Sequence, residues 1–436
     1  MKRDVTLVVL AAGIGKRFRP FTKDKNLFPF LGSPLIDFVL PKSLPPEVIH
    51  CVVVANGTNK EALERIRFPV PHTVVVQEEA TGMAGAILAA KPHIAGKSIL
   101  IVIADDVADP ALMEMVMKAV RPDVFGVLTT WKPQQYFPGG YVVFRDNRPV
   151  GIKEKPGAGN TPGEYVYFGG QYIAHADRLI EAIQNGKKSG DDIYEAALTK
   201  LMSDERFTAV IYDGGFVSLK YPWHVLDMTT YLLHHRLKPG KGKNVDIRNN
   251  VSLEGVVYLG NNVKIFENTK IVGPVYVGDN TIIGNNNIIR ESILGEGCVT
   301  GFNTDITRSY IGDNCWFHSN YIGDSVLEEN VSMGSGSVLA NLRLDEGEIT
   351  SVIAEEKVGT GKTKLGAMIG EGVRIGVNVS VMPGVKIGAQ SMIGAGIILD
   401  RDIPEGSYCV SKSVIDIKRN KANIASGNRE HYKTKI

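Results

Sequence analysis

Residues Val5 to Pro29 read VTLVVLAAGIGKRFRPFTKDKNLFP, passing from a buried strand into a glycine-bearing, strongly basic loop. Thr6 to Leu10 is short, apolar and β-branched, and its boundary at Ala11-Ala12-Gly13 suits a central strand of a parallel sheet. The loop then leaves the carboxyl end of that strand, where open α/β sheets bind ligands. Gly13 and Gly15 let the backbone approach a ligand and expose N–H donors, and Lys16, Arg17, Arg19, Lys23 and Lys25 add cations. The combination suits a polyphosphate. Two common phosphate loops are excluded. A dinucleotide fingerprint needs a third glycine where Phe18 stands, and a P-loop needs Ser or Thr after Gly-Lys, where Arg17 stands.

A chain of 436 residues predicts two or three domains, and a net charge of +2 gives no global field for nucleic acid or membrane. No apolar run approaches the ~20 residues that span a bilayer, and Met1 to Asp4 lead straight into the strand without a signal-peptide core. Cys51, Cys298, Cys315 and Cys409 are scattered, without Cys-x-x-Cys spacing. A cytoplasmic protein with reduced thiols is expected.

The first half alternates strand-like and helical runs, the pattern of an α/β layer structure. Strands are expected at residues 48–55, 72–77 and 98–104, with helices at 60–66 and 84–90. Asp105-Asp106 follow the last of these strands. At that edge, carboxylates either hold Mg²⁺ beside a polyphosphate or form a solvated turn and helix cap. Val225 to Leu237 reads as a helix, and Lys238-Pro239-Gly240-Lys241-Gly242-Lys243 breaks regular structure and marks a linker over 238–250.

Beyond it the period becomes six. Leu253, Leu259, Ile265, Ile271, Val277, Ile283 and Ile289 fall at six-residue spacing, and Ile369, Ile375, Val381, Ile387, Ile393 and Leu399 repeat it. A helix cannot generate that period, and hexapeptide repeats mark a parallel β-helix with Gly, Asn and Asp at the corners. The expected domains are 1–237, the linker, a solenoid over 251–405 and a basic tail over 406–436, helical or frayed against a neighbour.

Leu10-Ala11-Ala12-Gly13-x-Gly15-x-Arg17-x-x-Pro20, Thr22, Lys25-x-Leu27-x-Pro29 and Gly32-x-Pro34 together resemble the opening signature of the sugar-1-phosphate nucleotidyltransferases. Gln77 and Gly82 match a second motif that meets the base, although its Thr is Met83. Asp105 matches the Gly-Asp motif, Gly140-Tyr141-Val142-Val143 and Glu154-Lys155-Pro156 match sugar-side motifs, and Phe168 to Tyr172 resembles Asn-Ala-Gly-x-Tyr. The final motif, Asp-Val-Gly-x-Pro-Trp, becomes Ser218-Leu219-Lys220-Tyr221-Pro222-Trp223. The resemblance implies that Leu10, Ala11, Ala12, Gly13 and Gly15 bind the nucleotide, that Arg17 and Lys25 act on its phosphates, and that Asp105 carries Mg²⁺. It implies that Gly140, Glu154 and Lys155 hold the sugar phosphate. With Ser218 in place of a second metal ligand, Asp106, Asp213 or water substitutes, or the head is slow or silent.

The solenoid resembles the left-handed β-helix acyltransferases, from which its handedness and a homotrimer are inferred. Its middle carries His318-Ser319-Asn320-Tyr321-Ile322-Gly323-Asp324, Ser335 to Arg343, and Lys362-Thr363-Lys364. These resemble the acetyltransferase half of the bifunctional amino-sugar-1-phosphate enzymes in their archaeal-like form. The resemblance implies acetyl-CoA as co-substrate and His318 as the base that takes a proton from the sugar amine. A neutral imidazole, with a reference pKa of ~6.5, suits that task. Tyr321 and Asn341 would orient the amino sugar, Arg308, Lys362 or Lys364 would hold its phosphate, and the loop from Asp345 to Thr363 would hang off the solenoid. A nucleotidyltransferase with a scaffolding β-helix and a non-catalytic sugar-nucleotide-binding subunit are the alternatives.

Overall fold

The computed structural model describes residues 4–133, 136–186, 190, 192–412 and 416–421. The strand Val5–Leu10 is buried along its whole length and lies between two parallel neighbours, Val48–Ala55 and Ser98–Ile103. Beyond Val48–Ala55 comes His72–Val76, also parallel. On the other side, Val166–Ile173 runs antiparallel to Ser98–Ile103 and pairs with Gly126–Trp131 and Gly140–Arg145. The sequence expectations for these strands hold to within a residue or two. The helix expected at 84–90 is longer, Gly82–Ile94, because Pro92 comes late enough to be accommodated.

The helix Ile193–Asp204 is tied to the sheet by buried polar contacts. Tyr194 donates its hydroxyl to Gln171 at 2.7 Å, and Tyr167 donates to Glu195. Burial raises the Glu195 carboxyl to about 6, against the pull of the Tyr167 hydrogen bond.

The second half is a β-helix of three stacked parallel faces. Coils of 18 residues are marked by the side-chain bonds Asn244 to Asn262 and Asn262 to Asn280. These asparagines adopt φ of 56–58°, the left-handed corner conformation. The hexad residues fill the interior, with Leu259, Ile265, Ile271, Val277, Ile283 and Ile289 at most 2% exposed. Leu253, on the first strand of its face, is 41% exposed because no earlier coil covers it.

Three boundaries differ from expectation. The stretch read as a linker already carries Gly240–Lys241 and Asp246–Ile247, which pair with the next coil, so the solenoid begins there. At the other end, Tyr408–Cys409 still pairs with Met392–Ile393. Residues 413–415 and 422–436, most of the basic tail, lie outside the described residues. The loop from Asp345 does not hang free: Ile349–Ile353 and Glu356–Lys362 form an antiparallel hairpin, with Ile349 buried against the head.

One face of the solenoid is covered by the head. Phe18, Phe21, Phe28, Phe30, Trp223 and Leu226 form one apolar cluster with Ile293, Tyr310, Val326 and Met368. The rings of Phe28 and Tyr310 lie 5.1 Å apart, and Tyr310 donates its hydroxyl to the Pro29 carbonyl at 2.7 Å. Around this seam, Glu328 accepts from the amides of Thr22 and Lys23 at 3.0 and 2.9 Å.

Two outcomes follow from this packing. Phe28→Ala removes a fully buried ring and should lower stability by about 3–5 kcal/mol, splitting a joint calorimetric transition into separate head and solenoid transitions. A single transition at the wild-type temperature would refute the shared core. For Glu195 the folded carboxyl titrates above its unfolded value. The unfolded chain therefore releases its proton first, and stability falls as pH rises from about 4.5 to about 6. Urea titrations across that window should show the slope flatten in Glu195→Gln.

Candidate functional site

The loop after Val5–Leu10 is built on buried amides. Asn26 and Asn59 both donate to the Ala11 carbonyl at 2.9 Å, and Asn59 also donates to Asp24 at 2.9 Å. Burial raises the Asp24 carboxyl, while bonds from Asn26 and Asn59 oppose that rise. The chain is thus anchored just before Gly13, and Leu10, Ala11 and Ala12 are buried. Gly13 and Ile14 are exposed, and Gly15 turns with φ of 62°. Among the described residues, no protein acceptor meets the amides of Gly13, Ile14 and Gly15. A run of amides without a protein partner is the kind of backbone that can receive an anion.

Lys25 crosses this loop. A Cβ at Gly13 would stand 3.4 Å from the Lys25 Cε and 3.5 Å from its ammonium, so the lysine lies in contact range of the loop. The Lys25 ammonium forms an ion pair with Asp105. Opposite them, Phe216–Ser218 runs antiparallel to Asp106–Ala108, with Ser218 facing Asp106 in register. Leu219 donates its amide to the Asp105 carbonyl at 2.9 Å, which fixes Lys220 directly beyond. Arg17 reaches the same place from the loop, with its guanidinium 5.5 Å from the Tyr221 ring centroid. Burial and the neighbouring Asp105 raise the Asp106 carboxyl to about 6, against Lys220 and the Gly169 amide.

On the sugar side, Gly140 and Glu154 stand opposite one another in an antiparallel pair. A Cβ at Gly140 would meet the Tyr167 ring at 2.2 Å, so only glycine fits. Glu154 lies 3.3 Å from the Lys155 ammonium. Lys155 has φ of 41°, a left-handed conformation costly for lysine and held by its amide bond to the Gly139 carbonyl at 3.1 Å. Gln77 donates to the Gly82 carbonyl at 3.2 Å, so these two expected base contacts meet at the rim formed by the neighbouring parallel strands.

The solenoid brings together part of its expected set. His318 is exposed in the turn between Trp316, which bridges one face, and Tyr321–Gly323 on the next. Its amide donates to the Asn320 side chain at 2.8 Å, and Thr304 bonds its carbonyl, which holds the turn. At the other end of that strand, Asp324 accepts from Arg308 at 2.7 and 2.8 Å and from Asn341. The Tyr321 hydroxyl and the Asn341 amide would lie 2.7 and 2.6 Å from a Cβ at Gly323, so both converge over that glycine. Lys362 does not join them; its ammonium pairs with Asp227 on the head helix His224–His235.

The donor set of the head does not suit a divalent cation held by protein carboxylates. Asp105 is matched by Lys25, the charge of Lys220 favours the ionised form of Asp106, and a hydroxyl stands at position 218. Among the described residues, no group of three or more His, Cys, Asp or Glu side chains could hold a metal ion. Asp213, on the exposed turn before Phe216–Ser218, supplies no replacement within such a group. Sequence reading missed Lys220, Glu195 and the asparagines under the loop. Lys220 was legible as a charged residue in a motif glycine position, whereas Glu195 lies on a helix whose facing strand is remote in sequence.

A Nucleotidyl transferase family model matches residues 6–216, and a Bacterial transferase hexapeptide (six repeats) model matches residues 256–291 and 366–396. A protein of Methanococcus vannielii named Bifunctional protein GlmU is 32% identical over 94% of this chain and 99% of its own length. The protein of that name from Methanococcus aeolicus is 31% identical over 94% of this chain and 98% of its own. The Bifunctional sugar-1-phosphate nucleotidylyltransferase/acetyltransferase of Sulfurisphaera tokodaii is 29% identical over 92% and 98%. An α/β head on stacked parallel coils, with a glycine-bearing basic loop in the first half and an exposed histidine in the second, accords with that likeness along nearly the whole chain, which belongs to the bifunctional GlmU family.

Proposed function

We propose that this enzyme carries out two transfers: nucleotidyl transfer from a nucleoside triphosphate to a sugar 1-phosphate in the head, and acetyl transfer from acetyl-CoA to an amino-sugar 1-phosphate on the solenoid. The observation that carries the reading is the meeting of Gly13, Lys25 and Asp105 at the carboxyl edge of the sheet, with Arg17 and Glu154 reaching the same ground. In the head, a phosphate oxygen of the sugar 1-phosphate attacks the α-phosphorus. The bond to the bridging oxygen breaks and pyrophosphate leaves with its electron pair. The chain positions two anions and neutralises charge on the transferring phosphoryl group. The amides from Gly13 to Gly15 receive phosphate oxygens, and Arg17 and Lys25 supply cations. Glu154 and Lys155 hold the sugar end, while Gln77 and Gly82 meet the base. Mg²⁺ arriving with the triphosphate would add charge on its phosphates; no step here is assigned to an ion held by the protein.

On the solenoid, His318 takes the proton from the sugar amine as nitrogen attacks the thioester carbonyl, and coenzyme A leaves as the thiol. Tyr321 and Asn341 orient the sugar. Lys362 is held by Asp227 and Arg308 by Asp324, so the amino-sugar phosphate falls to Lys364 unless one of those pairs opens. The head covers one face of the solenoid, and Phe302, Trp316, Met392 and Tyr408, each more than half exposed, remain open on the rest. Those surfaces support packing of three copies, with each acetyl site completed by a neighbour.

Pyrophosphate release is expected for at least one pair in a matrix of nucleoside triphosphates and sugar 1-phosphates, acetylated and not. Silence across the matrix from folded protein would sink the head assignment. In His318→Ala, acetyl transfer should fall by about 10²–10⁴-fold while pyrophosphate release is unchanged. Unaltered acetyl transfer would leave the solenoid as a scaffold.

A further inference from the structure

Lys220 follows directly on the segment that pairs with the head's two consecutive aspartates. The strand before it is fixed on two consecutive carboxylate residues: Ser218 pairs with Asp106, and the Leu219 amide bonds to the Asp105 carbonyl at 2.9 Å. The Lys220 amide is directed to the His224 Nδ1 at 3.3 Å. Its side chain is half-buried, and its ammonium stands 4.2 Å from the Phe137 ring centroid. Burial pushes the pKa of that ammonium down, and Asp106, Asp105 and Glu154 oppose the fall while Arg17 adds to it. The residue thus lies where the phosphate loop, the strand-end carboxylates and the sugar subsite meet. His224 adds no charge at neutral pH, because burial pushes its imidazole down to about 4.

The charge around this point is already balanced. Three carboxylates, Asp105, Asp106 and Glu154, lie within electrostatic reach of three cations, Arg17, Lys25 and Lys220. Relative to a motif with Asp at 218 and Gly at 220, this chain loses one negative charge and gains one positive charge. The change equals the charge of one divalent cation. An ammonium held over the Phe137 ring is a point charge that can meet a phosphate oxygen directly.

We propose that Lys220 is a phosphate-binding residue, and that its ammonium stands where related chemistry uses a divalent cation held by protein carboxylates. A nucleoside triphosphate then sets its phosphates against Arg17, Lys25 and Lys220, and binding does not depend on a metal fixed by the protein. The proposal rests on the nucleotidyl-transfer reading of the head.

The test uses the full chain, wild type and variants, with ATP, CTP, GTP, UTP and dTTP titrated calorimetrically in chelator and in magnesium. Manganese binding without nucleotide is followed by electron paramagnetic resonance. Wild type should bind its nucleotide with less than about a threefold difference between the two buffers, and should hold no manganese. Lys220→Gly should lose at least about tenfold in affinity in chelator. Lys220→Gly with Ser218→Asp should bind manganese and recover nucleotide affinity only when metal is present. Should the glycine variant fail to fold, Lys220→Met keeps a long side chain and carries the same expectation, and Lys220→Arg should restore binding in chelator. Nucleotide binding by wild type only in magnesium, or undiminished binding by Lys220→Gly in chelator, would overturn the proposal while leaving the head assignment intact. Absence of nucleotide binding in both buffers would overturn both.

Discussion

A single carboxylate of the solenoid holds the arm of the phosphate loop in place. Glu328, itself 1% exposed, accepts from the amides of Thr22 and Lys23 and from that of Glu371, so one side chain fixes head and solenoid backbone together. Burial raises its carboxyl, and the three amides oppose that by favouring the charged form. Thr22 and Lys23 lie between the glycines of the loop and Lys25. The position of the Lys25 ammonium over Gly13 therefore depends on a residue more than three hundred positions away. The aromatic cluster of Phe18, Phe28, Phe30 and Tyr310 holds the same stretch of the head against the solenoid.

This arrangement joins the two halves physically. The head helix His224–His235 begins right after the segment that carries Lys220 and pairs through Asp227 with Lys362 on the solenoid hairpin. Lys386 locks that hairpin from below, donating to Ser351 at 2.9 Å and to the Val352 carbonyl at 2.7 Å. The segment that shapes the phosphate site and the hairpin that borders Asn341 thus rest on the same helix. The solenoid is accordingly both a support for the head and a carrier of its own chemistry.

Much of the fold was legible before any coordinates. The period of six predicts inward residues, and Ile265 through Ile289 and Ile369 through Leu399 are indeed interior. The asparagines at corners adopt the left-handed turn that their type permits. The irregular middle was harder, because coils shorten there: Ile288 pairs with Asp305 and Asp305 with Tyr321, steps of 17 and 16 residues in place of 18. Strand pairing survives by trimming corners, which breaks the sequence period without breaking the stack. The segment read as a linker failed for the opposite reason. Its Gly and Pro content marks irregular structure, but two residues of strand per face are enough to start a coil.

The sequence by itself determined the two-part architecture, the first parallel strands and the period-six coils, because these depend on local period, turn chemistry and short motifs. It placed Gly13, Lys25, Asp105 and His318 outside the regular strands, where they stand, and read Glu154 as a turn residue, whereas it ends the strand Arg148–Glu154. Only the tertiary structure decided which charges face each other. Lys25 with Asp105, Lys362 with Asp227 and Lys220 among Asp105, Asp106, Arg17 and Glu154 are pairings set by how distant strands and faces pack. Electrostatic partnership depends on distance through space, and the spacing of residues along the chain does not contain it.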